Sequence, residues 1–237
     1  MPNLQGMTPL NKRNERKFLA IGSIIHFARD GDLIWGSGLL DDFSGYLSSQ
    51  FDVRAVRGPK TRQALIRVNN MTVPEIYGDP ALLVPNFFPE FKRNPHPQYE
   101  YTVIPHYLEQ HLPKFNTNKN VIFPTEKWNL VIERILNSKF VIASSMHGII
   151  VAESFGIPAR MLYPGTIKPN YFKYVDYYYG TGRFNFKYAT SIEEALRMGG
   201  EPPVKCDLEK LYAAFPRDAF GNDGSIPSKL PLRKSFF

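Results

Sequence analysis

The sequence predicts an α/β fold of two Rossmann-like domains with parallel sheets. Three observations carry the prediction. Short apolar runs of strand length alternate with segments of helical spacing, the alternation occurs twice, and a proline-rich stretch separates the two rounds. With 237 residues, 43% of them hydrophobic, the chain can bury a core as one large domain or two small ones.

The elements follow in order. Residues 11–17 are polar and read as a solvated lead-in. Phe18 to Ile25 reads as a strand, and Asp32-Leu-Ile-Trp-Gly-Ser-Gly as another that ends in a glycine turn. Val53 to Arg57 is a short strand broken by Gly58-Pro59. Proline lacks the N–H that a helix start leaves unused, so Pro59 suits the first turn of a helix from Lys60 to Val68. Ile76 to Pro85 combines a strand end, a Gly78-Asp79-Pro80 turn and a short apolar segment, with Asp79 expected to bond its own backbone. Residues 85–98 contain four prolines, which predicts a linker without regular structure.

A second round begins beyond it. Strands are expected at Tyr99–Pro105, Asn120–Phe123, residues 140–143 and Ala159–Tyr163, with helices from Thr125 to Ser138 and over 147–155. Ser191 to Met198 reads as a helix capped by Thr190 or Ser191, with Glu193 and Glu194 in its first turn, and Asp207 to Phe215 as the last helix. The tail is rich in Gly, Pro and Ser. The expected domains are therefore 1–90 and 98–215, followed by an irregular tail over 216–237.

Composition narrows the function. No run approaches the ~20 apolar residues of a membrane span, and residues 1–10 lack the basic start and apolar stretch of a signal peptide. Cys206 is the only cysteine, which rules out an internal disulfide and predicts a reducing, cytoplasmic setting. Net charge is +7, from 29 Lys+Arg against 22 Asp+Glu, with the basic residues scattered. Small anionic ligands are the first expectation and an anionic membrane surface the second. No nucleic-acid module is present.

The stretch Phe140-Val-Ile-Ala-Ser-Ser-Met-His-Gly-Ile-Ile-Val-Ala-Glu-Ser-Phe-Gly-Ile-Pro158 is the most informative. An apolar run reads as a buried strand. Met146, Ile149, Ile150, Val151 and Phe155 then recur at helical spacing until Gly156 and Pro158 end the helix. A strand running into a helix leaves unbonded N–H groups and the positive dipole end at the sheet's carboxyl edge, where phosphates and carboxylates bind. Ser144, Ser145, Met146 and Gly148 surround that point, and His147 lies in the first turn. In isolation such a Ser-x-His is more often an N-cap and an ordinary histidine.

Other motifs point to the same edge. Arg57 leaves a strand just before a Gly-Pro helix start, and with Arg62 offers planar, bidentate donors for an anion. The other reading of that charge run is a solvated helix face. Gly36, Ser37 and Gly38 form a glycine turn that permits close approach. His106 follows the second round's first strand. No Cys/His set has metal-ligand spacing, and no phosphate-binding Gly-rich loop or nucleophile elbow occurs, so neither a metal nor another cofactor is expected.

In this order the motifs Ile21-Gly-Ser-Ile24, Trp35-Gly-Ser-Gly-Leu39, Val56-Arg-Gly-Pro-Lys-Thr-Arg62, Gly78-Asp-Pro-Ala-Leu82, Ile104-Pro-His-Tyr107 and Ser144 to Pro158 resemble the polysaccharide pyruvyl transferase family. Val175 to Arg183 resembles a further family segment. The resemblance implies a GT-B-like fold and transfer of the enolpyruvyl-derived group of phosphoenolpyruvate to a sugar diol, giving a pyruvate ketal. It places His147 in the donor site; Arg57, from its own position before the Gly58-Pro59 helix start, is expected to be the second catalytic residue by holding the donor's carboxylate or phosphate. Arg62, Ser144, Ser145, Met146, Gly148, Gly36, Ser37, Gly38 and His106 are expected to bind substrate, with Glu153 in a supporting role. The acceptor would be a sugar or lipid-linked oligosaccharide of an exopolysaccharide or capsule, reached at the inner face of the plasma membrane. Residues 1–17 lack the Asn-x-Gly-Asp type turn that family members carry upstream, so an incomplete N-terminal domain is expected. Two alternatives stay open: a glycosyltransferase using a sugar nucleotide, and an inactive glycan-binding remnant.

Overall fold

A computed structural model describes residues 16–42, 50–163, 171–220 and Lys229; the expected lead-in before residue 16 and most of the 216–237 tail lie outside them. The architecture is α/β, with two parallel sheets in a two-domain Rossmann-like arrangement. The first sheet joins β1 (Phe18–Leu19), β2 (Leu33–Trp35) and β3 (Asp52–Ala55), with Phe18 opposite Leu33 and Leu33 opposite Asp52. Tyr77 adds a parallel bridge to Val56. The second sheet joins β4 (Thr102–Ile104), β5 (Val141–Ala143), β6 (Ala159–Leu162) and β7 (Tyr188–Ala189) in sequence order. Its central strands are buried along their whole length, which is why they read as continuous apolar runs rather than alternating ones.

The helices are α1 (Pro59–Asn69), α2 (Val84–Phe87), α3 (Pro113–Asn116), α4 (Trp128–Leu136), α5 (Met146–Ser154), α6 (Tyr171–Gly180), α7 (Ile192–Met198) and α8 (Leu208–Ala213). Pro59 stands in the first turn of α1, Ser191 caps α7 by accepting from the Glu194 N–H, and Asp207 caps α8 through the Lys210 N–H. None of the described helices is long and apolar enough to cross a membrane.

Three expectations are corrected, and one helix was not expected. The strand expected from Phe18 to Ile25 ends at Leu19, because Gly22 takes φ 118° and Ile25–Phe27 coil into a single 3-10 turn that buries Ile25. Residues 120–123 contribute one bridge, Val121 to Val103. The proline-rich 85–98 stretch is partly regular: Pro85 occupies the first turn of α2, where its missing N–H costs nothing. Beyond it the chain is tied down by the Asn94 N–H on Leu136 O and by Phe91 against the main core. Finally, α6 has no counterpart in the sequence reading.

The C-terminal third of the chain does not stay on one sheet. Tyr174, Tyr177 and Tyr178 of α6 enter the core around Ile149 and Met161 of the second sheet, while the same helix packs on α1 beside the first. Leu211 and Tyr212 of α8 pack with Trp35 and Ala55, and the Trp35 indole donates to Leu211 O at 2.8 Å. These crossings hold the carboxyl ends of the two sheets against each other.

Candidate active site

Asp79 follows the bridge residue Tyr77 at the edge of the first sheet. Its Oδ1 accepts from the Ala81 N–H at 3.0 Å, as the turn chemistry predicts. Its other oxygen does something the sequence did not announce: it lies 3.3 Å from Nε2 of His147. His147 stands in the first turn of α5, with a side chain 37% exposed, whereas Asp79 is fully buried. An ionised carboxylate only accepts hydrogen bonds, so the Nε2 atom carries the proton and Nδ1 is left to act outward.

The glycine turn after β2 backs this pair. Gly36 has φ 84°, and a Cβ there would fall 2.3 Å from Cδ of Pro80; only glycine lets the Asp79–Pro80 turn approach so closely. Gly36→Ala is therefore expected to cost about 1–3 kcal/mol and to pull Asp79 away from His147, read as a lower thermal unfolding midpoint together with lower activity. Gly148 plays a comparable part on the other side: a Cβ would lie 3.1 Å from Cβ of Ile104, so α5 rests directly on β4.

Lys173 stands on α6 beside Tyr174. Among the described residues its ammonium makes no ion pair or hydrogen bond; its nearest partner is the face of Tyr174, 5.1 Å away. Burial and the adjacent Arg57 charge lower its pKa to about 8, with the Glu109 carboxylate opposing them. The Tyr174 hydroxyl donates to Ser144 O at 2.5 Å, which ties this part of α6 to the start of α5. Lys173 and His147 thus come from helices fastened to one another at the same sheet edge.

Arg57 is not the free donor that was expected. Its side chain is fully buried, with Nε donating to Asp176 Oδ2 at 3.1 Å, one terminal nitrogen to Ser23 Oγ at 2.6 Å and the other to Leu39 O at 2.7 Å. Asp176 also accepts from the N–H and hydroxyl of Thr61. Gly38, whose Cβ would strike the guanidinium carbon at 2.3 Å, and Gly58, whose Cβ would lie 1.8 Å from Asp176 O, make room for this pair. The network pins α6, and with it Lys173, against the first sheet.

With this geometry established, the comparisons are specific. The family profile described as polysaccharide pyruvyl transferase matches residues 10–166. The chain belongs to the polysaccharide pyruvyl transferase family. It is also 31% identical over 197 residues to uncharacterized protein L143 of Acanthamoeba polyphaga mimivirus, an alignment covering 76% of this chain and 67% of that one. No solved structure matches. The pyruvyl transferase match ends at residue 166, so Lys173 and Asp176 lie beyond it.

The remaining expected site residues of this pyruvyl transferase family member divide clearly. Ser145 is the partly exposed N-cap of α5 and makes no side-chain capping bond, so its hydroxyl is available at the helix start. His106 is half-buried at the end of β4; burial first, then Lys173, lowers its pKa, which keeps the ring neutral at pH 7. Met146 and Gly148 are buried and serve packing. Ser144 is fully buried between the His106 N–H and Glu109. Ser37 donates to Gly22 O at 2.8 Å.

Two residues lie elsewhere. Arg62 is occupied by Val73 O at 2.9 Å and by Glu75 at 3.1 Å. Glu153, six residues beyond His147 and hence about 9 Å along the helix axis, is paired with Arg183 and the Tyr177 hydroxyl. It anchors α6 and the loop after it from behind. Among the described residues no group of three His, Cys, Asp or Glu side chains is placed to hold a metal ion.

The sequence reading missed Asp79 as a partner of His147, Lys173 and Glu109. For Lys173 a faint signal existed: it stands three residues before Asp176, hence on the same helical face as the residue that binds Arg57.

Proposed function

We propose that this protein transfers the enolpyruvyl-derived group of phosphoenolpyruvate to two hydroxyls of a sugar, forming a pyruvate ketal and releasing phosphate. The observation that carries the proposal is a carboxylate-oriented histidine, His147, in the first turn of α5 together with a half-buried ammonium, Lys173, that makes no ion pair or hydrogen bond among the described residues and sits on the helix tied to the start of α5 through Tyr174. A donor with a carboxylate and a phosphate needs fixed positive charge, and its methylene carbon needs a proton. Lys173, Ser145 and the N–H groups at the start of α5 meet the first need, and His147 the second.

In the reaction, protonated His147 gives its Nδ1 proton to the methylene carbon, which becomes a methyl group, and C2 becomes electron-deficient. One sugar hydroxyl adds to C2 and its proton returns to the imidazole. Phosphate then leaves with its electron pair, the second hydroxyl closes the ketal, and that hydroxyl's proton departs with phosphate. Asp79 holds the imidazole in place. Arg57 acts through α6 rather than by contact. The acceptor belongs to an exopolysaccharide or capsule precursor, soluble or lipid-linked. The net charge of +7 supports attraction of this cytoplasmic protein to the anionic inner face of the plasma membrane.

The test is phosphate release from phosphoenolpyruvate with a panel of methyl hexosides, followed by mass spectrometry for the pyruvate ketal. Stabilisation by uridine diphosphate but not by phosphoenolpyruvate would favour a sugar-nucleotide glycosyltransferase instead. Lys173 supplies a pH signature. Its ammonium is charged below about 8 and neutral above, so affinity for phosphoenolpyruvate is present on the acid side and falls as pH rises through 8. Lys173→Ala is expected to weaken binding by about 10–100-fold, consistent with loss of a charge-assisted contact worth about 1.5–3 kcal/mol, and to abolish that alkaline limb in kcat/KM.

A further inference from the structure

The stretch after α2 reads Phe88-Pro-Glu-Phe91-Lys92-Arg93, and Lys127 and Trp128 stand at the start of α4. The fold brings the two together. The Phe88 and Phe91 ring centroids lie 6.3 Å apart, Phe88 and Trp128 6.1 Å, and Phe91 and Trp128 5.7 Å with their planes at 77°. Phe91 is the inner corner of this triangle. It packs on the main core, and its N–H donates to Phe88 O at 3.1 Å. The outer corners face solvent: Trp128 is 62% exposed and Phe88 40%. A single exposed ring is ordinary on a protein surface, but rings in mutual contact form a patch that water disfavours.

Charge distinguishes what such a patch suits. Lys127 directly precedes Trp128, and Lys92 and Arg93 directly follow Phe91, so exposed cations flank the rings on both arms. Glu90 and Glu126 stand on the same arms, which leaves three cations against two carboxylates. The whole chain adds an excess of +7. An apolar pocket on a protein partner would suit the rings alone. The interface of an anionic bilayer suits both features, because it takes tryptophan and phenylalanine between headgroups that attract Lys and Arg. Their long stems let these cations reach the headgroups while the rings go deeper.

We propose that the Phe88–Trp128 edge is a membrane-docking surface. Its two outer rings enter the interface of a bilayer containing anionic phospholipid, with Lys92, Arg93 and Lys127 along the headgroups, and Phe91 braces them from within. The placement suits the cleft. The chain leaves α4 and enters the amino end of β5, so the helix runs back across the sheet and its first residue, Trp128, stands toward the carboxyl ends, the side that carries Ser145 and His147. The inference rests on the membrane attraction proposed above and narrows it to one surface; it does not rest on the transfer chemistry.

Trp128 is its own probe. The chain has two tryptophans, and Trp35 is buried with its indole bonded to Leu211 O, so a lipid-dependent change in emission comes from Trp128. The full chain is titrated at low salt with vesicles of phosphatidylcholine alone and of equal parts phosphatidylcholine and phosphatidylglycerol. Emission is expected to shift to the blue with the anionic vesicles, to be quenched by lipids brominated in the acyl chain, and to stay unchanged with the neutral ones. In sedimentation with the anionic vesicles, Trp128→Ala and Phe88→Ala, each checked for folding by circular dichroism, should bind about 10–100-fold more weakly, the loss of one buried ring. Lys127→Gln should bind about 5-fold more weakly, the loss of one cation at the surface. Unchanged sedimentation of both ring variants would keep the membrane attraction and overturn this surface. Absence of wild-type binding to either vesicle would overturn both, while phosphate release from phosphoenolpyruvate would still test the transfer by itself. A blue shift that grows with protein concentration in the absence of lipid would show that a second copy covers the rings, and would overturn the proposal.

Discussion

Replacing His147 with alanine is expected to slow phosphate release from phosphoenolpyruvate by about 10²–10⁴-fold, the usual contribution of a positioned general acid. The fold should survive. The imidazole is 37% exposed, and Asp79 keeps its bond to the Ala81 N–H when the ring is removed. The loss should fall mainly on kcat, because Lys173 and the start of α5 still hold the donor's charges. Asp79→Asn should give a smaller loss of the same kind, since an amide no longer fixes the ring with its proton on Nε2. Single-turnover phosphate release with both variants separates these effects. Near-native turnover in His147→Ala would remove the histidine from the mechanism.

Arg57→Ala is expected to have the largest effect on stability. It leaves the Asp176 carboxylate buried with, among the described residues, only Thr61 to bond it, and breaking a buried pair from one side costs about 3–5 kcal/mol. At about 2–4 °C per kcal/mol for a chain of this size, the unfolding midpoint should fall by about 6–20 °C. Arg57→Lys should recover little of it, because one ammonium cannot reach Asp176, Ser23 and Leu39 O together as the planar guanidinium does. Removing both charges, as in Arg57→Ala with Asp176→Ala, should cost less than the sum of the single changes, since no lone charge remains buried. Thermal unfolding of the four proteins forms the cycle; strict additivity would show that the pair does not act as a unit.

Much of the frame was legible because its signals are local. Pro59 after Gly58 marks the start of α1, Ser191 with Glu193 and Glu194 marks α7, and the run from Phe140 to Pro158 contains strand, turn, helix and stop within one stretch. His147 could be singled out for the same reason. What escaped the sequence was created by distant neighbours. Residues 171–180 are crowded with tyrosines, which carry no clear helical preference; the helix exists because Tyr174, Tyr177 and Tyr178 find a core to fill. Arg57 was read as a donor to a ligand's anion, but the anion it bonds is Asp176, 119 positions away in the chain. Glu153 looked close to His147 in sequence and is drawn instead to Arg183. Lys173 gains its importance from making no ion pair or hydrogen bond among the described residues, a property that only the folded chain can reveal.

The most direct test of the central claim is 31P NMR of phosphoenolpyruvate titrated with the protein at pH 7, without acceptor. Wild-type protein should broaden and shift the phosphorus signal in a saturable way, and Lys173→Ala should restore the free spectrum while remaining folded. Saturable binding of equal strength in wild type, Lys173→Ala and His147→Ala would place the donor elsewhere and contradict the account.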